Sequence, residues 1–216
     1  MKKTLITISS DSKNRDEIYN QLTELIGDLC TIKSLSCKEL TEYKKLQGDL
    51  ILISVSFIEK LVLPYISSSS KVIVARRTIN MKNLKKLFDI PPDSDVLIVN
   101  NSYDTSKETI NELHEIGIKH LHFYPYDPDR KQAKKFNYAV TFGESHLVPE
   151  NIPNVLDMGT RLIDIMTIAE ILFYFEGAIN CNALISSRYV RKLVQLSMEL
   201  SEQIKQNEML HRQLKL

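Results

Sequence analysis

Glycine is scarce in this chain, with only six in 216 residues. No stretch matches G-x-G-x-x-G or G-x-x-x-x-G-K-[ST], the patterns in which glycines let the main chain approach phosphate groups. The sequence therefore predicts no dinucleotide or nucleoside-triphosphate site, and we expect no cofactor.

Strong net charge and long apolar runs are lacking too. The 28 basic and 27 acidic side chains nearly cancel, which disfavours direct contact with nucleic acid or an anionic membrane. The longest apolar candidate, residues 163–175, contains Asp164 and Glu170 and is shorter than the roughly 20 residues of a membrane span. Three cysteines without metal-ligand spacing are typical of a reducing compartment. These features predict a cytoplasmic protein without a membrane segment or a metal site.

Strand and helix patterns alternate along the chain. Apolar runs such as Leu50-Ile51-Leu52-Ile53 are typical of strands buried on both faces of a parallel sheet. Strands are predicted at residues 5–8, 29–35, 49–53, 71–75, 95–99, 118–124, 138–141 and 155–157. Helices are predicted from Ser10 or Asp11 to Gly27, and at residues 38–46, 57–66, 81–88, 102–116 and 160–178. This alternation predicts an α/β fold with parallel sheets.

The clearest interruption is Ile90-Pro91-Pro92-Asp93-Ser94, after which the βα pattern restarts. We therefore expect two Rossmann-like, periplasmic-binding-protein-like lobes, at residues 1–90 and 93–180, with a cleft between them. One continuous doubly wound sheet is the alternative.

The last segment, residues 187–216, reads as one helix without a stop signal. Apolar and polar residues recur at spacings of three and four, which is a heptad pattern with five apolar members. The eight positions are Val190, Leu193, Ser197, Leu200, Ile204, Asn207, His211 and Leu214. This pattern predicts a linker helix that joins a homodimer and leads to further domains of the same chain. A helix packed on its own core is the alternative.

Strong catalytic motifs are missing. A phosphoacceptor receiver domain needs an acidic cluster after its first strand and an aspartate after its third. Here the first loop offers Asp11 alone, and Ser54-Val55-Ser56 follows the third predicted strand. We expect no phosphorylation and no catalytic residue.

The loops after the predicted strands are suited to binding, because open α/β sheets hold ligands at the carboxyl ends of their strands. Hydroxyl, amide and guanidinium groups there can hold a polar or anionic ligand, and a tyrosine can form a pocket wall. The predicted ligand-binding residues are Ser10, Ser54, Arg76, Asn101, Ser102 and Tyr126. Ser102 is equally suited to cap a helix, and Arg76 to face solvent.

Two stretches carry a family resemblance: DVLIVNNSYDTSKETINELHEIGIKHLHFYPYDP from Asp95, and AVTFGESHLVPENIPNVLDMGTRLIDIMTIAEI from Ala139. They resemble the N-terminal sensory region of bacterial transcriptional activators that work with sigma-54, in particular the sensor domain of propionate-catabolism regulators. The resemblance covers about a third of the chain, and the first lobe only by topology. It implies a two-lobed sensor, followed in such proteins by an AAA+ ATPase and a helix-turn-helix domain. No ATPase motif occurs in this sequence.

The expected function is therefore that of a non-catalytic domain that senses a small-molecule effector. An α/β enzyme that acts on a small metabolite in the cleft remains the alternative. A convergent acid–base pair with perturbed pKa values would favour the enzyme.

Overall fold

The chain folds around two separate parallel sheets and a short antiparallel ribbon. This computed structural model describes residues 2–130 and 134–213, except for the side chains of residues 82, 178, 179 and 210–213. The predicted α/β class, with parallel sheets and a long C-terminal helix, is confirmed.

The first sheet has the strand order β2-β1-β3-β4, with all neighbours parallel. Leu50–Ile53 is buried along its whole length, because helices cover both faces of the sheet. One face packs against α1 (Ser12–Ile26) and the C-terminal helix α5 (Ile165–Gln213), and the other against short helical turns between residues 37 and 65. The elements are β1 (Lys3–Ser9), α1 (Ser12–Ile26), β2 (Cys30–Ser36), β3 (Leu50–Ile53), α2 (Glu59–Val62) and β4 (Lys71–Val74), with 3₁₀ turns at Cys37–Glu42, Ser56–Ile58 and Leu63–Tyr65.

The second sheet repeats this arrangement with the order β7-β6-β8-β9, again parallel. Helix α4 and residues 79–90 cover one face, whereas loops that include Phe136 and Ile152 cover the other. The elements are α3 (Lys85–Phe88), β6 (Asp95–Val99), α4 (Tyr103–Glu115), β7 (His122–Pro125), β8 (Tyr138–Thr141) and β9 (Asn154–Asp157), with 3₁₀ turns at Met81–Asn83 and Ser145–Leu147.

Two-residue strands, β5 (Arg77–Thr78) and β10 (Leu162–Ile163), pair antiparallel where the chain passes between the sheets. We call β5 and β10 together the ribbon. Ile79, two residues after Arg77, is already in the core of the second sheet, and Ile163 is in the core of the first. The chain thus changes sheets at the ribbon, before the proline pair at 91–92.

Helix α5 (Ile165–Gln213) is broken at Gly177, where φ is 76° and ψ is 171°. A backbone with this φ favours glycine, since other residues meet steric strain there. Residues before the break, such as Ile171 and Leu172, lie in the core of the first sheet. After the break Cys181 is buried in the same core, but every residue from Leu193 to Met209 is exposed.

Candidate functional site

At the carboxyl end of β1, three polar residues form a hydrogen-bonded group around the start of α1. Asp11 caps the helix, because its Oδ1 accepts the Asn14 N–H at 2.9 Å. Ser10 Oγ donates to Asp11 Oδ2 at 2.8 Å, and Asn14 Nδ2 donates to Ser10 Oγ at 3.2 Å. Burial opposes ionisation of Asp11, but these hydrogen bonds lower its pKa overall. Asp11 is therefore anionic and structurally engaged.

Arg77, the first residue of the ribbon, reaches back to this group. Its Nη2 donates to Asn14 Oδ1 at 3.0 Å, and its Nε donates to the Arg161 carbonyl oxygen at 3.1 Å. Burial, followed by the nearby charge of Arg161, lowers the pKa of Arg77 to about 10. No carboxylate of the described residues forms an ion pair with Arg77.

Arg161, just before β10, points instead toward α4. Its Nη1 donates to Glu112 Oε2 at 2.8 Å, its Nη2 donates to Thr109 Oγ1, and its guanidinium lies 5.2 Å from the Phe142 ring centroid. Glu112 Oε1 also accepts the Thr78 hydroxyl at 2.6 Å and the Ile79 N–H at 2.9 Å. Glu112 thereby holds both strands of the ribbon against α4.

The ends of β8 and β9 place two carboxylates beside this cluster. Burial raises the pKa of Glu144, although the main chain of Asn101 and the charges of His146 and Arg161 oppose that rise. Burial also disfavours the charge of Asp157, but hydrogen bonds from the N–H groups of Gly159 and Gly143, each 2.8 Å, lower its pKa overall. The two carboxylates thus shift in opposite directions.

Three of the predicted ligand-binding residues lie at the ends of first-sheet strands. Ser10 belongs to the α1 cap, and Ser54 is fully buried with no hydrogen-bond partner for its Oγ among the described residues. Arg76 points away: its side chain is 69% exposed, and its Nε is 3.9 Å from Asp164 Oδ2. Its neighbour Arg77 takes the position expected of Arg76.

The other three predicted residues belong to the second sheet. Ser102 caps α4, because its Oγ accepts the Thr105 N–H at 3.2 Å. The helix-cap alternative for Ser102 is therefore the one observed. Asn101 is exposed, and its side chain accepts from Thr105 Oγ1 at 3.0 Å. Tyr126 packs with Leu147 and Val148 on the face opposite α4. The structure does not bring Tyr126 to the ribbon.

Four residues of this cluster are not among the predicted ligand-binding residues: Asn14, Arg77, Glu112 and Arg161. The Arg76-Arg77 pair was a signal, but a two-residue strand has no periodicity to show which arginine turns inward. Arg161 and Glu112 carry no signal of their own, because only the folding of the chain brings them together.

A surface depression on the first sheet lies away from this cluster. A cavity of about 430 Å³ runs beside β2 and is lined in part by Lys33, Ser34, Tyr43 and Gln47. Lys45, also in its lining, already donates to the carbonyl oxygens of Pro64 and Ile66. The cavity lacks the converging charges of the ribbon, so we regard the ribbon cluster as the candidate site.

Neither a protein-family model, nor a curated protein, nor a solved structure matches this chain. Within residues 2–130 and 134–213, no group of three or more His, Cys, Asp or Glu side chains is arranged to hold a metal ion. No described helix combines the length and apolar character needed to cross a membrane.

Proposed function

We propose that this chain is a non-catalytic, effector-sensing domain of a cytoplasmic sigma-54-dependent transcriptional regulator. The two sheets act as two lobes, like those of periplasmic binding proteins, and the ribbon acts as their hinge. The sequence resemblance supports the assignment to this family. The strand order common to both sheets, and the two crossings of the chain between them at the ribbon, support the role of the ribbon as a hinge. In such a regulator, contacts with DNA and ATP belong to other domains.

The observation that carries this proposal is the exposed part of α5. From Leu193 to Met209 the helix touches no other part of the fold closely enough to bury a residue. Its exposed large apolar side chains are Leu193, Val194, Leu196, Met198, Leu200, Ile204 and Met209. An isolated helix that exposes this much apolar surface to solvent needs a partner to be stable.

Helix α1 gives a physical route from the ribbon to this exposed helix. Near its start, Asn14 accepts from Arg77, and further along Gln21 exchanges two hydrogen bonds with the main chain of Ile163, at 2.8 and 2.9 Å. At its end, Arg188 of α5 donates to the Leu25 carbonyl oxygen and to Asp28 at 2.9 Å. Movement of the ribbon therefore acts on the first half of α1, whose other end contacts α5.

The partner that we propose for α5 is a second copy of this chain, aligned in parallel. Val190, Leu193, Leu200 and Ile204 of the predicted heptad are all about half exposed or more. Burial of each is worth roughly 1.5–3 kcal/mol before ordering costs. The side chain of His211, and Leu214 altogether, lie outside the described residues.

Sedimentation equilibrium tests the proposal on the full chain at micromolar concentrations. We expect a dimer for the wild type and a monomer for a Leu193→Lys, Leu200→Lys double variant, because two charges in the seam cannot be paired. Ser201→Lys, exposed on the same helix, is the matched control and should remain dimeric. Equal monomer masses for all three proteins would contradict the proposed output.

One observation favours the alternative, an α/β enzyme. Glu144 and Asp157 have pKa values displaced in opposite directions, which is the pattern of an acid and a base with separate roles. Most of the partners of Asp157 are neighbouring main-chain N–H groups, which also suits a structural role. Turnover of a bound metabolite that Glu144→Gln abolishes without unfolding the protein would establish the enzyme.

A further inference from the structure

Arg77 is a half-buried cation whose charge nothing in the described structure neutralises directly. It donates only to neutral oxygens, of Asn14 and of the Arg161 main chain, and Arg161 adds a second positive charge nearby. Asp11 is the carboxylate that favours the charge of Arg77 from a distance, and its own oxygens are already occupied by Ser10 and Asn14. Burial of a charge without a partner is costly, so an anion at this position would be strongly stabilising.

Two buried hydroxyls at the same end of the first sheet also lack partners. The side chains of Ser9 and Ser54 are completely buried, and neither Oγ has a hydrogen-bond partner among the described residues. Buried polar atoms in native proteins are nearly always paired, so each unpaired hydroxyl calls for an explanation.

Alternation along the strands places both serines on the face that α1 covers. Ser9 follows Leu5 and Thr7 at spacings of two, and Ser54 follows Leu50 and Leu52 in the same way. Leu5, Leu50 and Leu52 all pack in the core cluster that contains α1. The strands that carry the serines are neighbours, since the Ser54 N–H donates to the Ile8 carbonyl oxygen at 2.9 Å. Both hydroxyls thus lie on the face of the first sheet that α1 and α5 cover, at the strand ends from which the chain enters α1 and, further on, the ribbon.

We propose that Ser9, Ser54, Asn14 and Arg77 form the binding site for a small oxyanion, a carboxylate or a phosphate. Arg77 supplies the charge and the two serine hydroxyls supply neutral donors, while Asn14, whose Nδ2 already donates to Ser10 and Asp11, holds Arg77 in place. This inference rests on the proposed effector-sensing function and names the chemistry of the effector. Asp11 acts on Arg77 through its charge, and Glu112 and Glu144 lie near the neighbouring Arg161, so these carboxylates favour an anion of low charge over a polyanion.

Entry to this site requires movement. Both hydroxyls are fully buried, so the ligand reaches them only when the ribbon and the start of α1 separate. The same groups connect to α5 through Gln21 and Arg188, and binding therefore changes the position of the output helix. A ligand that favours one arrangement shifts the equilibrium by its difference in affinity.

The test is the melting temperature of the full chain in succinate, acetate or inorganic phosphate, with chloride at matched ionic strength as reference. A ligand that binds only the folded state raises the melting temperature, so at least one anion should do so for the wild type. Arg77→Gln should abolish the rise, whereas Arg76→Gln, the exposed neighbour, should preserve it. A higher melting temperature in succinate or acetate but not in phosphate identifies a carboxylate effector. A higher melting temperature in phosphate alone identifies a phosphate effector.

Ser54→Ala separates the binding role from a folding role. Without anion, removal of an unpaired buried hydroxyl should leave the melting temperature unchanged or raise it. With anion, the affinity should fall about tenfold, because a hydrogen bond to a charged group is lost. An anion-dependent rise that Arg77→Gln retains, or no rise with any of the three anions, would overturn the site.

Sedimentation in the same anions keeps the two proposals distinguishable. If an anion binds through Arg77 but leaves the dimer unchanged, the site stands and the sensing function fails. If a metabolite changes the dimer equally in the wild type and Arg77→Gln, the sensing function stands and this site is wrong.

Discussion

The first and second sheets have the same relative strand order, and one helix packed on each sheet contacts the ribbon. These helices are α1 and α4. Gln21 stands nine residues after the start of α1, and Glu112 stands nine residues after the start of α4. Gln21 contacts the main chain of β10, which follows the second sheet, and Glu112 contacts β5, which follows the first. The helix of each sheet therefore contacts the ribbon strand that follows the other sheet in the chain.

The chemistry of the two contacts differs. Gln21 is neutral and pairs only with main-chain groups of Ile163, so its contact depends on position alone. Glu112 forms an ion pair with Arg161, so its contact depends on charge as well as on position. The contact of the second sheet with the ribbon therefore includes an ion pair, whereas the contact that Gln21 makes from the first sheet consists of neutral hydrogen bonds.

The coverage of the two sheets differs as well, because α5 follows the second sheet in sequence but packs on the first. Leu172 is fully buried in the core of the first sheet, and its neighbour Phe173 is 57% exposed. We expect Leu172→Ala to lower the free energy of unfolding by about 2–5 kcal/mol, through lost burial and a cavity. Phe173→Ala should change it by no more than about 0.5 kcal/mol. Urea unfolding followed by circular dichroism measures both, and similar small effects would show that α5 does not belong to this core.

The second prediction concerns the two residues that hold the ribbon. Glu112→Gln should lower the free energy of unfolding by about 1.5–3 kcal/mol, because Arg161 loses a charged partner while both side chains are largely buried. Gln21→Ala should cost less, about 1–2 kcal/mol, since only neutral hydrogen bonds are lost.

Exposed neighbours on the same helices provide the controls for this comparison. Glu115→Gln on α4 and Asn20→Ala on α1 should each be nearly neutral in the same urea titration. A cost for Gln21→Ala equal to that of Glu112→Gln would mean that the charge of Glu112 adds nothing, and the contrast between the two sheets would fail.

The smallest expected effect belongs to Glu39, which ties the turn after β2 to α1. Hydrogen bonds from the Ser36 hydroxyl and N–H, opposed by burial and aided by Arg15, lower the pKa of Glu39 to about 2 from 4.5. A lowered pKa stabilises the folded state above about pH 4.5, and this stabilisation is lost as the pH falls toward 2. Glu39→Gln should therefore reduce the melting temperature at pH 7, by an amount that shrinks in acid. Glu42→Gln, exposed in the same turn, is the control, and a pH-independent difference for Glu39→Gln would contradict the assignment.

Most long elements could be predicted from the sequence. The apolar runs at β3 and β6 and the cap residues Asp11 and Ser102 carry strong local signals, and the structure confirms them. Residues 38–46 were predicted as a helix but form only a 3₁₀ turn at Cys37–Glu42, because the capping contacts of Ser36 and Glu39 fix a single tight turn. The helix predicted from residue 160 begins at Ile165, since β10 takes up Leu162–Ile163.

Local sequence patterns are enough to predict the α/β class, the parallel strands and the long C-terminal helix, because hydrophobic periodicity and helix caps act within a few residues. The inward position of Arg77 rather than Arg76, and the contact between Arg161 and Glu112, depend instead on how the whole chain folds. So does the packing of α5 on the first sheet. These contacts join residues far apart in the chain, and they depend on how the chain crosses at the ribbon. Their strength comes from burial, which no local pattern encodes.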